Sequence, residues 1–106
     1  DENSLSCTIN LAFYFARDYY TVIRELPGGK GFADICFIPR KIHMDKPAVV
    51  IELKWNKSAE GAIQQIKDKQ YIEALKDYHG NLLLAGIDYD KKTKQYSCII
   101  EKWNMS

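Results

Sequence analysis

Hydrophobic and polar positions along this chain follow two periods. Over residues 3–17, Leu5, Ile9, Ala12, Phe13 and Ala16 recur at helical spacing and form one stripe, with Asn3 or Ser4 available as a cap. Residues 20–26 are rich in strand formers and stop at Pro27-Gly28-Gly29-Lys30-Gly31, a turn cluster because glycine supplies positive φ. Residues 32–38 form a second strand, and a polar connector from Pro39 to Pro47 leads into Ala48-Val49-Val50-Ile51-Glu52-Leu53-Lys54-Trp55, a third. A second helix spans 58–78. Ser58 is its cap, Ala59, Ile63, Ile66, Ala74 and Tyr78 are its stripe, broadened by Tyr71 and Leu75, and Gly80 is its stop. Residues 81–87 read as a strand buried on both faces, parallel to a neighbour after the helical crossover. Residues 90–94 are a hairpin loop, and 95–103 alternate as a last strand. The order α-β-β-β-α-β-β predicts an α/β (α+β) domain with a mixed central sheet and two flanking helices.

Four acidic or basic positions disturb this pattern. Glu52 and Lys54 sit two residues apart in an otherwise apolar strand, so both emerge on one face, where an unpaired buried charge is costly. Asp34 interrupts the second strand, and Asp is disfavoured there. A hairpin whose tip lies near His43 pairs residues with numbers summing to about 86, which sets Asp34 opposite Glu52. Two opposed carboxylates repel unless something positive lies between them, and a divalent cation would serve, with Lys54 as a further counter-charge. A register slip of one residue would undo that juxtaposition. Glu2 continues the first helical stripe back by one turn, toward the core side; the competing reading is a first-turn acid favoured by the helix dipole.

Composition narrows the function without naming it. The 106 residues suit one domain, and a net charge of +1 gives no global field to draw it to nucleic acid or membrane. A local patch from Lys30, Arg40, Lys41, Lys57, Lys67 and Lys69 is the available alternative. No apolar run approaches the roughly 18 residues of a membrane span. Cys7, Cys36 and Cys98 are isolated, with no Cys-x-x-Cys pair for zinc, and read as reduced core thiols of a cytoplasmic protein. The glycines near 28–31 lack P-loop spacing. The sequons at Asn56 and Asn104 are silent in a cytosolic setting. His43 and His79 read as surface loop residues. Tyr19, Tyr20, Tyr71, Trp55 and Trp103 read as packing aromatics rather than base-stacking ones. Trp55, next to Lys54, is the one with a claim to the second role. The first residue is not Met and the chain opens inside a helix, which suggests a segment of a longer protein.

The array Gly31-Phe32-Ala33-Asp34, then Ile51-Glu52-Leu53-Lys54, then Ala62-Ile63-Gln64-Gln65-Ile66 and Tyr71, resembles the PD-(D/E)XK nuclease superfamily. The likeness runs from Glu2 through Trp103 and is nearer still to the nuclease-like domain found C-terminal to AAA-ATPase-like domains in bacterial proteins. The resemblance implies a restriction-endonuclease-like αβββαβ core. It implies Mg²⁺ or Mn²⁺ held by Asp34, Glu52 and the carbonyl of Leu53, with Lys54 orienting water and stabilising charge on the phosphate. It assigns Glu2 as a helix-borne acid completing the site, and Gln65 as a second-helix residue beside it. The helical wheel favours Gln70 over Gln65 at that place. Ala33 stands where the superfamily's name has Pro. The implied partners are nucleic acid, taken as DNA, an N-terminal ATPase-like domain of the same chain, and a second copy in a homodimer, with no membrane.

Two functions from different classes follow. One is a metal-dependent nuclease. The other is a nuclease fold retained as a binding or regulatory module beside an ATPase-like domain, with Glu52 and Lys54 an ion pair. A structural ion pair in an unrelated α/β domain is the third reading.

Overall fold

The computed structural model describes residues 2–28, 31–68, 75 and 81–104, with side chains described throughout these except at 2, 25–28, 31–34 and 104. Helix α1 is Glu2–Phe15. Strands β1 (Tyr20–Gly28), β2 (Gly31–Pro39) and β3 (Ala48–Trp55) follow, with a 3-10 turn at Lys41–His43. Helix α2 (Ala59–Asp68) then leads to β4 (Asn81–Asp90) and β5 (Gln95–Asn104). The predicted second helix runs past Asp68 into residues outside the described ones, apart from the buried Leu75.

The five strands lie in chain order, β1-β2-β3-β4-β5. Neighbours are antiparallel except β3 and β4, which are parallel because α2 carries the chain back across the sheet. Pairing of β2 with β3 runs Ile35↔Ile51, Cys36↔Val50 and Phe37↔Val49, a register in which every pair sums to 86. The hairpin geometry expected from the sequence is therefore the one adopted.

Strand alternation sends two sets of side chains to opposite faces. Cys36, Ala48, Val50, Leu82 and Leu84 pack with Ile63, Ile66 and Leu75 on the α2 side. Phe37, Val49, Ile51, Leu83, Ala85 and Cys98 pack with Cys7 and Leu11 of α1 on the other. Ser58 caps α2 as expected, its Oγ accepting from Gly61 N at 2.9 Å.

Helix α1 does not bury the stripe that its apolar residues predict. Leu5, Ile9 and Phe13 are exposed, at 53, 60 and 49%. The face turned to the sheet carries Ser4, Cys7 and Leu11, with Tyr14 beside them. Both faces repeat at helical spacing, so periodicity alone does not choose between them. Contact with β5 does. Ser4 Oγ accepts from Cys98 N at 3.1 Å, and Cys7 is disulfide-bonded to Cys98 across 91 residues of sequence. With Ser4, Cys7 and Leu11 on the sheet side, the Leu5-Ile9-Phe13 stripe does not direct Glu2 toward the core.

That bond also corrects the expectation of three reduced thiols, and with it the reason for assigning a cytoplasmic location. Cys36 is the free cysteine, and burial pushes its thiol up to about 12. Thiol titration of the unreduced protein with an aromatic disulfide reagent should count none in the native state and one after denaturation. Prior reduction should raise the denatured count to three. Three thiols without reduction would mean the Cys7–Cys98 bond is absent in solution.

Candidate active site

The site is assembled where β3 stops being a core strand. Ala48 to Ile51 are buried; Glu52 and Lys54 continue the face of Ala48 and Val50, toward α2. Glu52 is 3% exposed. Lys54 Nζ lies 3.9 Å from Glu52 Oε1 and is the more solvent-facing partner. Leu53 points to the opposite face and is partly exposed.

Glycine in β4 lets α2 reach this place. Gly86 is the ladder partner of Glu52. A Cβ on Gly86 would stand 2.4 Å from Ala59 O, 3.0 Å from Ala62 Cβ and 3.1 Å from Ile63 Cγ1, so the helix lies directly on the glycine backbone. From that position Gln65 Nε2 donates to Glu52 Oε1. Gln65 sits off the buried stripe of Ala59, Ala62, Ile63 and Ile66, on the flank that leans over β3. A wheel centred on the stripe misses it because Glu52 lies to one side of the helix, not beneath its axis. Gln70, the wheel's preference, lies outside the described residues.

Asp88 escaped the sequence reading. It is the ladder partner of Lys54, has the parity of Gly86 and is 6% exposed. Its Oδ1 accepts from Lys57 N at 2.9 Å, which fixes the turn between β3 and α2. The signal was available: an Asp within an otherwise apolar strand, the same feature that singles out Asp34.

The β2–β3 ladder ends at Ile35↔Ile51, one residue short of Asp34 and Glu52. The side chains of Asp34 and Glu2 lie outside the described residues. Among the described residues no three His, Cys, Asp or Glu side chains converge. Of the groups that the resemblance implicates, the Glu52 carboxylate and the Leu53 carbonyl are described, and both are hard oxygens, which would suit Mg²⁺ or Mn²⁺ better than a thiophilic metal.

The basic patch expected around the site is redistributed. Arg40 and Lys41 follow the end of β2 that pairs with the start of β1, away from the Glu52 end of β3, and Arg40 is bound to Asp18 at 2.9 Å. Lys67 turns to Glu101 of β5 at 2.7 Å. Lys57 is tied by its backbone N to Asp88, the ladder partner of Lys54, while Lys30 and Lys69 lie outside the described residues. His43 is half-buried against Tyr19, ring centres 4.8 Å apart, rather than free at the surface.

A mixed five-stranded sheet between two helices, with Glu-x-Lys closing its middle strand, defines a restriction-endonuclease-like α/β domain. The family model of the PD-(D/E)XK nuclease superfamily matches residues 1–102, and the chain belongs to that superfamily. No curated protein and no solved structure matched the chain.

Proposed function

We propose that this domain is a divalent-metal-dependent nuclease that hydrolyses phosphodiester bonds in nucleic acid, with DNA as the substrate. The observation that carries the reading is the buried Glu52 carboxylate, held by Gln65 on the face it shares with Lys54. A carboxylate desolvated to this degree is costly to stability and suits a cation ligand.

Glu52, Asp34 and the Leu53 carbonyl would hold Mg²⁺ or Mn²⁺. When bound, the cation offers charge to the phosphate oxygens and makes a bound water more acidic. Gln65 restricts the Glu52 carboxylate to one orientation. Lys54 orients the attacking water and balances charge as the phosphate becomes more negative. Asp88, through Lys57 N, keeps the end of β3 and the start of α2 in fixed relation. On the family resemblance alone, Glu2 is proposed as the helix-borne acid of the same site, and an ATPase-like domain is proposed to precede this one in the full chain.

The Lys54–Glu52 contact at 3.9 Å favours a second reading, a self-neutralised ion pair in a binding or regulatory module. Mn²⁺ calorimetry on wild type and Asp34→Ala separates the two. The nuclease reading expects saturable binding by wild type that disappears in the variant, with a metal-dependent rise in Tm for wild type alone. Equal responses from both proteins would favour the module.

A further inference from the structure

Beyond Lys54 the strand ends present an aromatic surface. Trp55 pairs with Tyr89, and Tyr89 pairs with Tyr96, so three aromatics form one row across β3, β4 and β5. All three belong to the sheet face that carries Leu53, Ile87 and Cys98, the α1 side. The row is open to solvent: Trp55 is 59% exposed, Tyr96 is 43% exposed and Tyr89 is intermediate. Trp55 and Tyr89 meet edge to face with ring centres 5.4 Å apart.

Cations border the row. Lys91 Nζ stands 5.8 Å from the centre of the Trp55 ring. Lys57, Lys91 and Lys92 line the adjoining open depression with Asn56 and Asp90. The backbone here is firmly set. Asn56 adopts φ 55°, a left-handed conformation that Asn tolerates. Its N–H donates to Tyr89 O at 2.8 Å, and its Oδ1 accepts from Lys91 N at 2.8 Å. Asp90 Oδ1 accepts from Lys92 N and Thr93 N. The aromatic row and its lysines are thus joined by short hydrogen bonds at one end of the sheet.

We propose that Trp55, Tyr89 and Tyr96 form a base-stacking platform for a single-stranded stretch of the nucleic-acid substrate, with Lys91, Lys92 and Lys57 taking its phosphates. The proposal rests on the nuclease reading for the identity of the ligand. Aromatic faces accept any base, and interleaved lysines neutralise the backbone. An apolar protein partner would instead force those ammonium groups out of water without phosphates to meet them. Three adjacent strands span about 10 Å, room for two or three bases on a sheet.

The relation to the candidate active site argues for a single strand. Trp55 follows Lys54 directly, yet their side chains leave opposite faces of β3. A ligand that touches both must bend around the strand end. Duplex DNA is straight over about 150 bp and cannot turn so sharply without large deformation, whereas an unpaired strand can.

The test is binding without chemistry. Fluorescence anisotropy of a labelled oligothymidine and of a blunt duplex of equal length, in EDTA, is measured for wild type, Trp55→Ala and Trp55→Phe. Trp55→Ala should weaken single-strand binding about ten-fold, Trp55→Phe should recover most of it, and duplex affinity should barely change. Single-strand affinity unchanged in Trp55→Ala, or no single-strand binding by wild type, overturns the platform. A dimer that Trp55→Ala converts to monomer on sizing also overturns it, because the row then covers a second copy of the chain. Mn²⁺-dependent cleavage by Glu52→Gln is assayed on the same oligonucleotide. No Mn²⁺-dependent cleavage by wild type defeats the nuclease reading, and cleavage retained in Glu52→Gln removes Glu52 from the metal site, either result leaving a Trp55 binding effect intact. Cleavage lost there, with Trp55→Ala binding normally, defeats the platform alone.

Discussion

Glu52→Gln should lower Mn²⁺-dependent cleavage at least about 100-fold while leaving the melting temperature equal to or above that of wild type. The two outcomes together are diagnostic. The amide preserves the shape of the side chain and can still accept from Gln65 Nε2, so packing at this nearly dry position survives. It removes the negative charge that a hard cation requires. Burying that charge costs stability, and Lys54 at 3.9 Å on the solvent side offsets only part of the cost. A purely structural ion pair predicts a different pattern: Glu52→Gln would strand the Lys54 ammonium and lower Tm, with no activity to lose. Cleavage and thermal melts on one preparation read both quantities. Wild-type cleavage rates in Glu52→Gln would remove Glu52 from the metal site.

Gly86→Ala should destabilise the domain by about 3 kcal/mol, near the upper end of what overpacking costs in a close-packed interior. For a domain of this size that is a fall in Tm of roughly 10–20 °C. The added Cβ would meet Ala59 O at 2.4 Å. That atom belongs to the helix backbone and has no rotamer to escape into. The helix must lift from the sheet, carrying Ile63 out of its contact and drawing Gln65 away from Glu52. Loss of cleavage should therefore accompany loss of stability and persist well below the lowered Tm. A melt within a few degrees of wild type would show that α2 does not rest on Gly86 as described.

The parts of this protein that were legible in its sequence are those whose causes are local. The run Ala48–Trp55 announces a strand by composition, and Glu52 and Lys54 share a face because the period of a strand is two. The polar connector between β2 and β3 brings the chain back at the distance that sets the register, so Ile35, Cys36 and Phe37 meet Ile51, Val50 and Val49 as the hairpin arithmetic predicts. Ser58 caps α2 because its hydroxyl needs only an N–H three residues on. Asp88 belongs to the same class of signal but lies past the apolar run that ends at Ile87, whereas β4 continues to Asp90.

What the tertiary structure decided involves residues far apart in the chain or choices between equivalent local patterns. Helix α1 offers two faces at helical spacing, and its own sequence favours the more apolar one, Leu5-Ile9-Phe13. Contacts from Ser4 and Cys7 to Cys98 settle the matter for the other. No local rule links Cys7 to a residue 91 positions later. Gln65, off the centre of the apolar stripe, meets Glu52 because Gly86 admits α2 at one particular offset from β3, a fact of packing and not of periodicity. Trp55, Tyr89 and Tyr96 are ordinary strand aromatics in sequence; two ladders, one parallel and one antiparallel, make them a row. Backbone hydrogen bonding and sterics act within a few residues, so elements, caps and one hairpin register are determined by the sequence alone. Which faces meet depends on interactions among elements that exist only once the sheet has assembled.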